Sequence, residues 1–289
     1  MTNFSIVDDS FDYNITLSYF LSIRITPDGF SFCTLDPVKN KFIQIQNITF
    51  DPTDNFLQQS ESCFKTIEKL NLPYKKTLIL LPTQYSTLVP AGLYNEANKD
   101  TWMQFVHSSP QTRGTTKTSD ESIIANPIKL ADAVNLFRVN NKLAELMKRQ
   151  FQEPQFFHQH TPIIENHLST NLTDGDRQLM FINLEFDYFD ILIFGKNNLQ
   201  LCNTFKISNS NDFIYFTLFV FEQMKLNSST VSVIISGHHP SFKEMVTHLK
   251  KYLKNVTLAK FPHQFQYSHL FKDIDASAYH TLLSLSVCV

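Results

Sequence analysis

The sequence predicts a mixed α/β chain made of two α+β lobes with the same order of elements, and three observations predict it. Five segments in the first half read as strand, strand, strand, helix and strand. The same five types return in the same order roughly 155 residues later. In each half the closing strand is a short, continuous apolar run of the kind that is buried on both faces. A chain of 289 residues is long enough to bury two such cores.

The first lobe opens with alternation over residues 17–25. Leu17, Tyr19, Leu21, Ile23 and Ile25 fall on one face, with Ser18, Ser22 and Arg24 on the other. Pro27, Asp28 and Gly29 supply turn chemistry before a second strand over 30–35, and Asp36-Pro37 with Lys39-Asn40 supplies it before a third over 41–48. Asp51 before Pro52 reads as a cap with proline at the first helical position, so a helix is expected over 53–70 with Phe56, Phe64, Ile67 and Leu70 inward. Residues 77–81 (TLILL) are the buried fourth strand.

In the second half, strands are expected over 178–184, 189–194 and 199–207, with Gly195 to Asn198 as the turn between the last two. A helix follows over 212–226 on the stripe Phe213, Phe216, Val220, Phe221 and Met224, then a buried strand over 231–236 and a helix over 242–253. Domain boundaries are therefore expected at 1–160 and 161–289. Between the repeats, 92–130 reads as a small insertion with a short helix around Trp102 and its least hydrophobic stretch at 108–120. Beyond it come a strand around 131–137, a basic amphipathic helix over 140–151, a strand over 155–160 and a bridging helix from Thr161-Pro162.

Composition narrows the function. With 25 basic and 27 acidic residues the net charge is -2, which gives no global attraction for nucleic acid or anionic lipid, and no local basic patch stands out. Residues 1–12 carry Asp8, Asp9 and Asp12 and no basic residue, the reverse of a secretory n-region. The densest apolar stretch, 213–221, is far shorter than the roughly 20 residues that span a bilayer. Cys33, Cys63, Cys202 and Cys288 form no short-spaced pair, so reduced thiols in a cytoplasm are expected. Neither GxxxxGK[ST] nor GxGxxG occurs.

A repeated β-β-β-α-β unit with an insertion in its first copy resembles the actin-like ATPase fold, whose two lobes are each ribonuclease-H-like. More closely, Ser10-Phe11-Asp12, Leu21-Ser22-Ile23 and Asp28-Gly29-Phe30-Ser31-Phe32 resemble an uncharacterised bacterial family of unknown function with that fold. In ATP-binding members the first strand of each lobe ends in an Asp-x-Gly turn, and a Gly-Gly pair follows the fourth strand of the second lobe. The resemblance thus names a set of nucleotide-cleft positions. In the first lobe Arg24 stands where the metal-organising acid would be, ahead of Asp28 and Gly29. In the second, Asn183, Glu185, Asp187 and Asp190 lie along the phosphate-loop pattern, with Glu185, Phe186 and Asp187 in place of its three glycines and Tyr188 in place of a threonine. Ser236-Gly237 keeps one glycine of the pair. Bulky and acidic side chains at these positions obstruct a cradle that backbone N–H groups must form, and carboxylates there oppose a polyphosphate by several kcal/mol, on the order expected at low effective dielectric.

Other constellations have plainer readings. His158 with His160, His238 with His239, and His263 and His269 lack acidic residues at ligand spacing, so no metal site is expected. Ser236-Gly237-His238 lacks the flanking glycines of a nucleophile elbow, Cys63 reads as core, and Asp187 with Asp190 reads as hairpin chemistry rather than a nuclease pair. The expectation is a cytoplasmic protein with no catalytic residues and no cofactor, which has lost ATPase competence and binds an unknown protein partner through its insertion and interlobe cleft. No nucleic acid or membrane partner is evident. The alternative is a nucleotide binder, with ATP and magnesium held by Gly237, Asp28, Gly29 and Asp190 in an altered geometry.

Overall fold

A computed structural model describes residues 3–51, 53–107, 120–170 and 178–289. By internal contacts the chain divides into two units: Met1–Pro162 with His263–Ile274 and Leu282–Val289, and Ile163–Pro262 with Asp275–Thr281. The first cut falls two residues from the boundary read in the sequence. The two C-terminal segments, which that reading placed with the second lobe, group with the first unit instead.

Unit 1 begins with β1 (Phe4–Val7), β2 (Phe20–Thr26), β3 (Gly29–Asp36) and β4 (Lys41–Thr49). The first expected strand starts three residues late. Asp12 accepts a hydrogen bond from the Asn14 N–H and holds Tyr13–Ser18 in a 3-10 turn that leaves Leu17 exposed. The helix α1 (Phe56–Thr66) is likewise shorter than expected, because the cap is Asn55, whose Oδ1 accepts from the Leu57 and Gln58 N–H groups. Asp51 is occupied by Thr53 in a separate turn, and Pro52 lies outside the described residues. After α1 comes β5 (Lys76–Leu80).

The insertion is larger than 92–130. It holds α2 (Lys99–His107), and its strands β6 (Ser86–Pro90), β7 (Glu121–Ile128) and β8 (Ala133–Asn140) form a separate three-stranded antiparallel sheet in the order β6-β8-β7. Proline masked both missed strands in the sequence; Pro127 is tolerated because β7 is an edge strand. Of the expected polar loop at 108–120, all but Asp120 lies outside the described residues. Then follow α3 (Asn141–Gln150), β9 (Gln155–Phe157) and α4 (His160–Ser169). The main sheet of unit 1 runs β1-β4-β3-β2-β5-β9. One face packs Ile23, Ile25, Phe30 and Phe32 against Phe64 of α1 and Met147 of α3. Cys63 is half-buried at the edge of this core.

Unit 2 repeats the plan with β10 (Leu179–Leu184), β11 (Tyr188–Gly195), β12 (Asn198–Lys206), α5 (Ser210–Gln223), β13 (Ser232–Gly237), α6 (Phe242–Leu249) and β14 (Val256–Leu258). Its sheet order, β12-β11-β10-β13-β14, matches β4-β3-β2-β5-β9 strand for strand, with the same parallel and antiparallel pairings. Gly175, read as a turn residue, is outside the described residues. Lys196 and Asn197 take left-handed conformations in the expected β11–β12 turn. Asn209 caps α5 through the Asn211 and Asp212 N–H groups. Phe213, Ile214, Val220 and Phe221 of α5 and Met245 and Leu249 of α6 pack on Ile182, Ile191 and Ile235.

The opposite face of the unit 2 sheet meets two buried histidines. The chain continues from β14 through β15 (Gln266–Tyr267), which adds in parallel to β4 in unit 1, to α7 (Ala276–Ser284). His167 of α4 stacks on Phe194 and meets Phe181 edge-on, and its Nδ1–H donates to the Ile163 carbonyl at 2.8 Å. His280 of α7 packs on Phe181, and its Nδ1–H donates to the Lys260 carbonyl at 2.6 Å. No described helix is long and apolar enough to cross a membrane.

Candidate functional site

Each sheet carries a cross-strand row at the same place in its register, polar at all positions but one, because strand pairing brings directly opposed side chains onto one face. In unit 1 the row is Leu80, Arg24, Ser31 and Asn47; in unit 2 it is Ser236, Asn183, Asp190 and Thr204. Arg24 therefore holds in the unit 1 sheet the position that Asn183 holds in the unit 2 sheet.

In unit 1, Arg24 is buried on the second strand of the sheet, with Nη1 3.5 Å from Thr26 Oγ1. The Thr26 hydroxyl donates to the Gly29 carbonyl, and the Ser31 hydroxyl donates to Asn47 Oδ1 at 2.6 Å. Arg24, Thr26, Asp28, Gly29, Ser31 and Asn47 line a pocket of about 260 Å³. Pro27 and Asp28 form the exposed tip of the β2–β3 hairpin. Gly29 is required by close packing: a Cβ there would lie 2.6 Å from the Ile48 carbonyl oxygen.

In unit 2, Asn183 is the hub. Its Nδ2 donates to Glu185 Oε1 at 3.1 Å and to Asp190 Oδ2 at 3.4 Å, while its Oδ1 accepts from Ser236 Oγ and from Thr281 Oγ1. Thr204 Oγ1 donates to Asp190 Oδ1 at 2.6 Å. Asn183, Glu185, Asp190 and Ser236 are all buried, whereas Asp187 is exposed at the hairpin tip beside Phe186. The hairpin is closed by its own backbone, the Glu185 N–H donating to the Tyr188 carbonyl at 2.9 Å. That N–H points into the turn rather than toward a ligand oxygen.

Gly237 stands at the end of β13 with φ +128°. A Cβ would lie 1.9 Å from the Leu184 carbonyl oxygen, so the glycine serves the approach of β13 to β10. Ser236 Oγ donates to a carboxamide oxygen, which is no base, so the serine is not activated as a nucleophile. His158 uses both ring nitrogens: Nε2–H donates to the Thr83 carbonyl and Nδ1 accepts from the His160 N–H. Among the described residues no three His, Cys, Asp or Glu side chains converge as a metal site.

Sequence reasoning missed Thr26, Ser31, Asn47, Thr204 and Thr281. The polar face of β2 carried a signal for Thr26, which continues the alternation of Ser22 and Arg24, whereas Ser31 and Asn47 join through the register of β3 and β4. Thr281 lies in a segment that carried none. Replacing Asn183 by alanine leaves two buried carboxylates and two hydroxyls without their shared partner, so a loss of about 2 kcal/mol in urea denaturation is expected.

A family model described as protein of unknown function (DUF3822) matches residues 8–256. No curated protein matches the chain. Among solved structures the chain is similar to a protein of actin-like ATPase fold and unknown function from Bacteroides thetaiotaomicron. The two share 24% identity over 86% of this chain and 93% of that one, with a TM-score of 0.75. It is also similar to a chain of the PilM–PilN type IV pilus biogenesis complex, at 7% identity over 92% of this chain and 97% of that one, with a TM-score of 0.61. The fold is the actin-like ATPase fold.

Proposed function

The chain belongs to the DUF3822 family of proteins of unknown function, and we propose that it is a non-catalytic protein of the actin-like fold that acts by binding another macromolecule. The observation that carries this reading is the β10–β11 hairpin. Where a phosphate loop would need open backbone N–H groups, the hairpin is closed on itself and followed inward by the buried carboxylates of Glu185 and Asp190. Two carboxylates near a polyphosphate repel it strongly in a site of low dielectric. The likeness to a component of the PilM–PilN assembly supports a role in partner binding for a chain of this fold. A reducing, cytoplasmic setting belongs to the same reading, on the spacing of the four cysteines.

Thermal denaturation with magnesium-ATP and magnesium-ADP tests the proposal. A ligand at about 100 times its dissociation constant adds roughly 2.7 kcal/mol. The expected result is an unchanged melting temperature at millimolar nucleotide. A saturable rise would favour the alternative, a nucleotide site that draws on Asp28, Gly29, Asp190 and Gly237.

A further inference from the structure

Unit 1 covers the outer edge of its third repeated strand, and unit 2 leaves the matching edge without a strand. In unit 1 that strand is β4, which pairs antiparallel with β1 at Gln44 to Asn47 and in parallel with β15 at Lys41 and Phe42. The registers match these positions to Leu201–Thr204 and to Asn198 and Leu199 of β12, yet no described strand lies on that side of β12. The Thr204 N–H donates to Oδ1 of the adjacent Asn203 at 3.0 Å, whereas its counterpart Asn47 faces Phe4 of β1. Native edge strands are kept short or interrupted by proline or charge, because an open ladder recruits other chains. Here β9 and β14 have three residues each, β6 ends in Pro90 and β7 contains Pro127. β12 has nine residues, and its segment 201–205 holds neither proline nor charge.

Helix α5 flanks this edge with aromatic rings. Phe205 of β12 stacks on Phe216 with ring centroids 5.1 Å apart, Phe216 meets Tyr215 edge-on, and Tyr215 stacks with Phe219. Tyr215 is 63% exposed and Phe219 40%. The matching helix of unit 1, α1, exposes Gln58, Ser62 and Lys65 instead. Exposed rings therefore stand beside the open edge, and polar side chains beside the covered one.

We infer that the β12 edge and the α5 aromatics form a docking site for an extended segment of a partner protein, which adds antiparallel to Leu201–Thr204 as β1 adds to β4. Main-chain hydrogen bonds hold such a segment, and every second side chain, apolar, lies on the face that carries Phe205 and Phe216. The precedent of β1, a four-residue segment outside the repeated unit, favours a short extended segment over the edge of a second folded copy. This inference rests on the reading that the chain binds a macromolecule, and names the surface.

The test uses the full chain and a fluorescein-labelled peptide that alternates valine with threonine and ends in glutamates, read by anisotropy. Saturable binding is expected, weakened roughly tenfold by Tyr215→Ser with Phe219→Ser. It should vanish when every peptide amide is N-methylated, which removes the main-chain donors and keeps the side chains. The control Leu93→Ser with Phe105→Ser, which removes exposed apolar side chains from unit 1, should leave binding unchanged. Undiminished binding of the N-methylated peptide, equal weakening by the control, or absence of binding would each overturn the assignment. A dimer in sedimentation that Tyr215→Ser with Phe219→Ser abolishes would also overturn it, since the edge would then belong to a second copy. Saturable stabilisation by magnesium-ATP would instead overturn the reading on which the inference rests.

Discussion

Gly237→Ala is expected to cost about 4 kcal/mol or more of stability, with the loss falling on unit 2. The replacement fails on two counts. At φ +128° an L side chain is strained, at a cost of about 1–3 kcal/mol. Its Cβ would also sit 1.9 Å from the Leu184 carbonyl oxygen and 2.6 Å from the Leu184 nitrogen. These are backbone atoms of the paired strand, so relief requires β13 to move away from β10, which breaks the Asn183–Ser236 hydrogen bond and opens the core beneath. Urea denaturation of Gly237→Ala beside Gly92→Ala reads the effect. Gly92 has open space where a Cβ would go, and its substitution should change stability by no more than about 0.5 kcal/mol. Equal midpoints for the two variants would refute the close approach. One consequence concerns ligand studies: a Gly237 variant reports on strand pairing and cannot serve as a probe of nucleotide contact.

The second large effect is a loss of stability in mild acid. Burial pushes the His167 imidazole down to about 3, with the nearby His280 ring adding to the effect, and burial pushes His280 down to about 4. Both folded values lie below the ordinary 6.5, so the folded state resists protons that the unfolded chain accepts. Full stability is therefore present above pH 6.5 and is lost as pH falls from there toward the folded values. The slope for two such groups is about 2.7 kcal/mol per pH unit, and the accumulated loss by pH 5 is about 4 kcal/mol. His280→Asn, which keeps a donor for the Lys260 carbonyl, should halve the slope. A flat stability profile between pH 7 and 5 would contradict the burial of the pair. Asp8 titrates in a separate window: burial raises its pKa, but the Lys41 ammonium at 2.8 Å and Ser10 outweigh that and hold it well below the usual range. Its contribution is present above the ordinary carboxylate value and is lost only below about pH 4.

The lobes were legible because their strands carry period-two or continuous apolar patterns, and their starts, Phe20, Gly29, Lys41, Phe56 and Lys76 against Leu179, Tyr188, Asn198, Ser210 and Ser232, keep a nearly constant offset. Caps were less legible. Asp51 and Asn55 are both good cap residues, and only the fold decides which one faces open helical N–H groups. β6 and β7 were hidden by proline, and β1, β14 and β15 are too short to show a period. The candidate site was partly legible. Asn183, Glu185 and Asp190 come together as one hydrogen-bonded group, and Arg24 shares its pocket with Asp28 and Gly29. Asp187 stays outside the unit 2 group because it lies in the turn between β10 and β11, beyond the end of either strand, where it is exposed. Thr281 arrives from far along the chain, and no local pattern announces such a contact.

Equilibrium dialysis of the intact chain against radiolabelled ATP with magnesium tests the account most directly, because it counts bound nucleotide without relying on stability or turnover. With the β10–β11 hairpin closed by Glu185 and Tyr188, the account predicts equal ATP on both sides of the membrane at millimolar concentration. One equivalent retained with the protein, and displaced by unlabelled ATP, would contradict it.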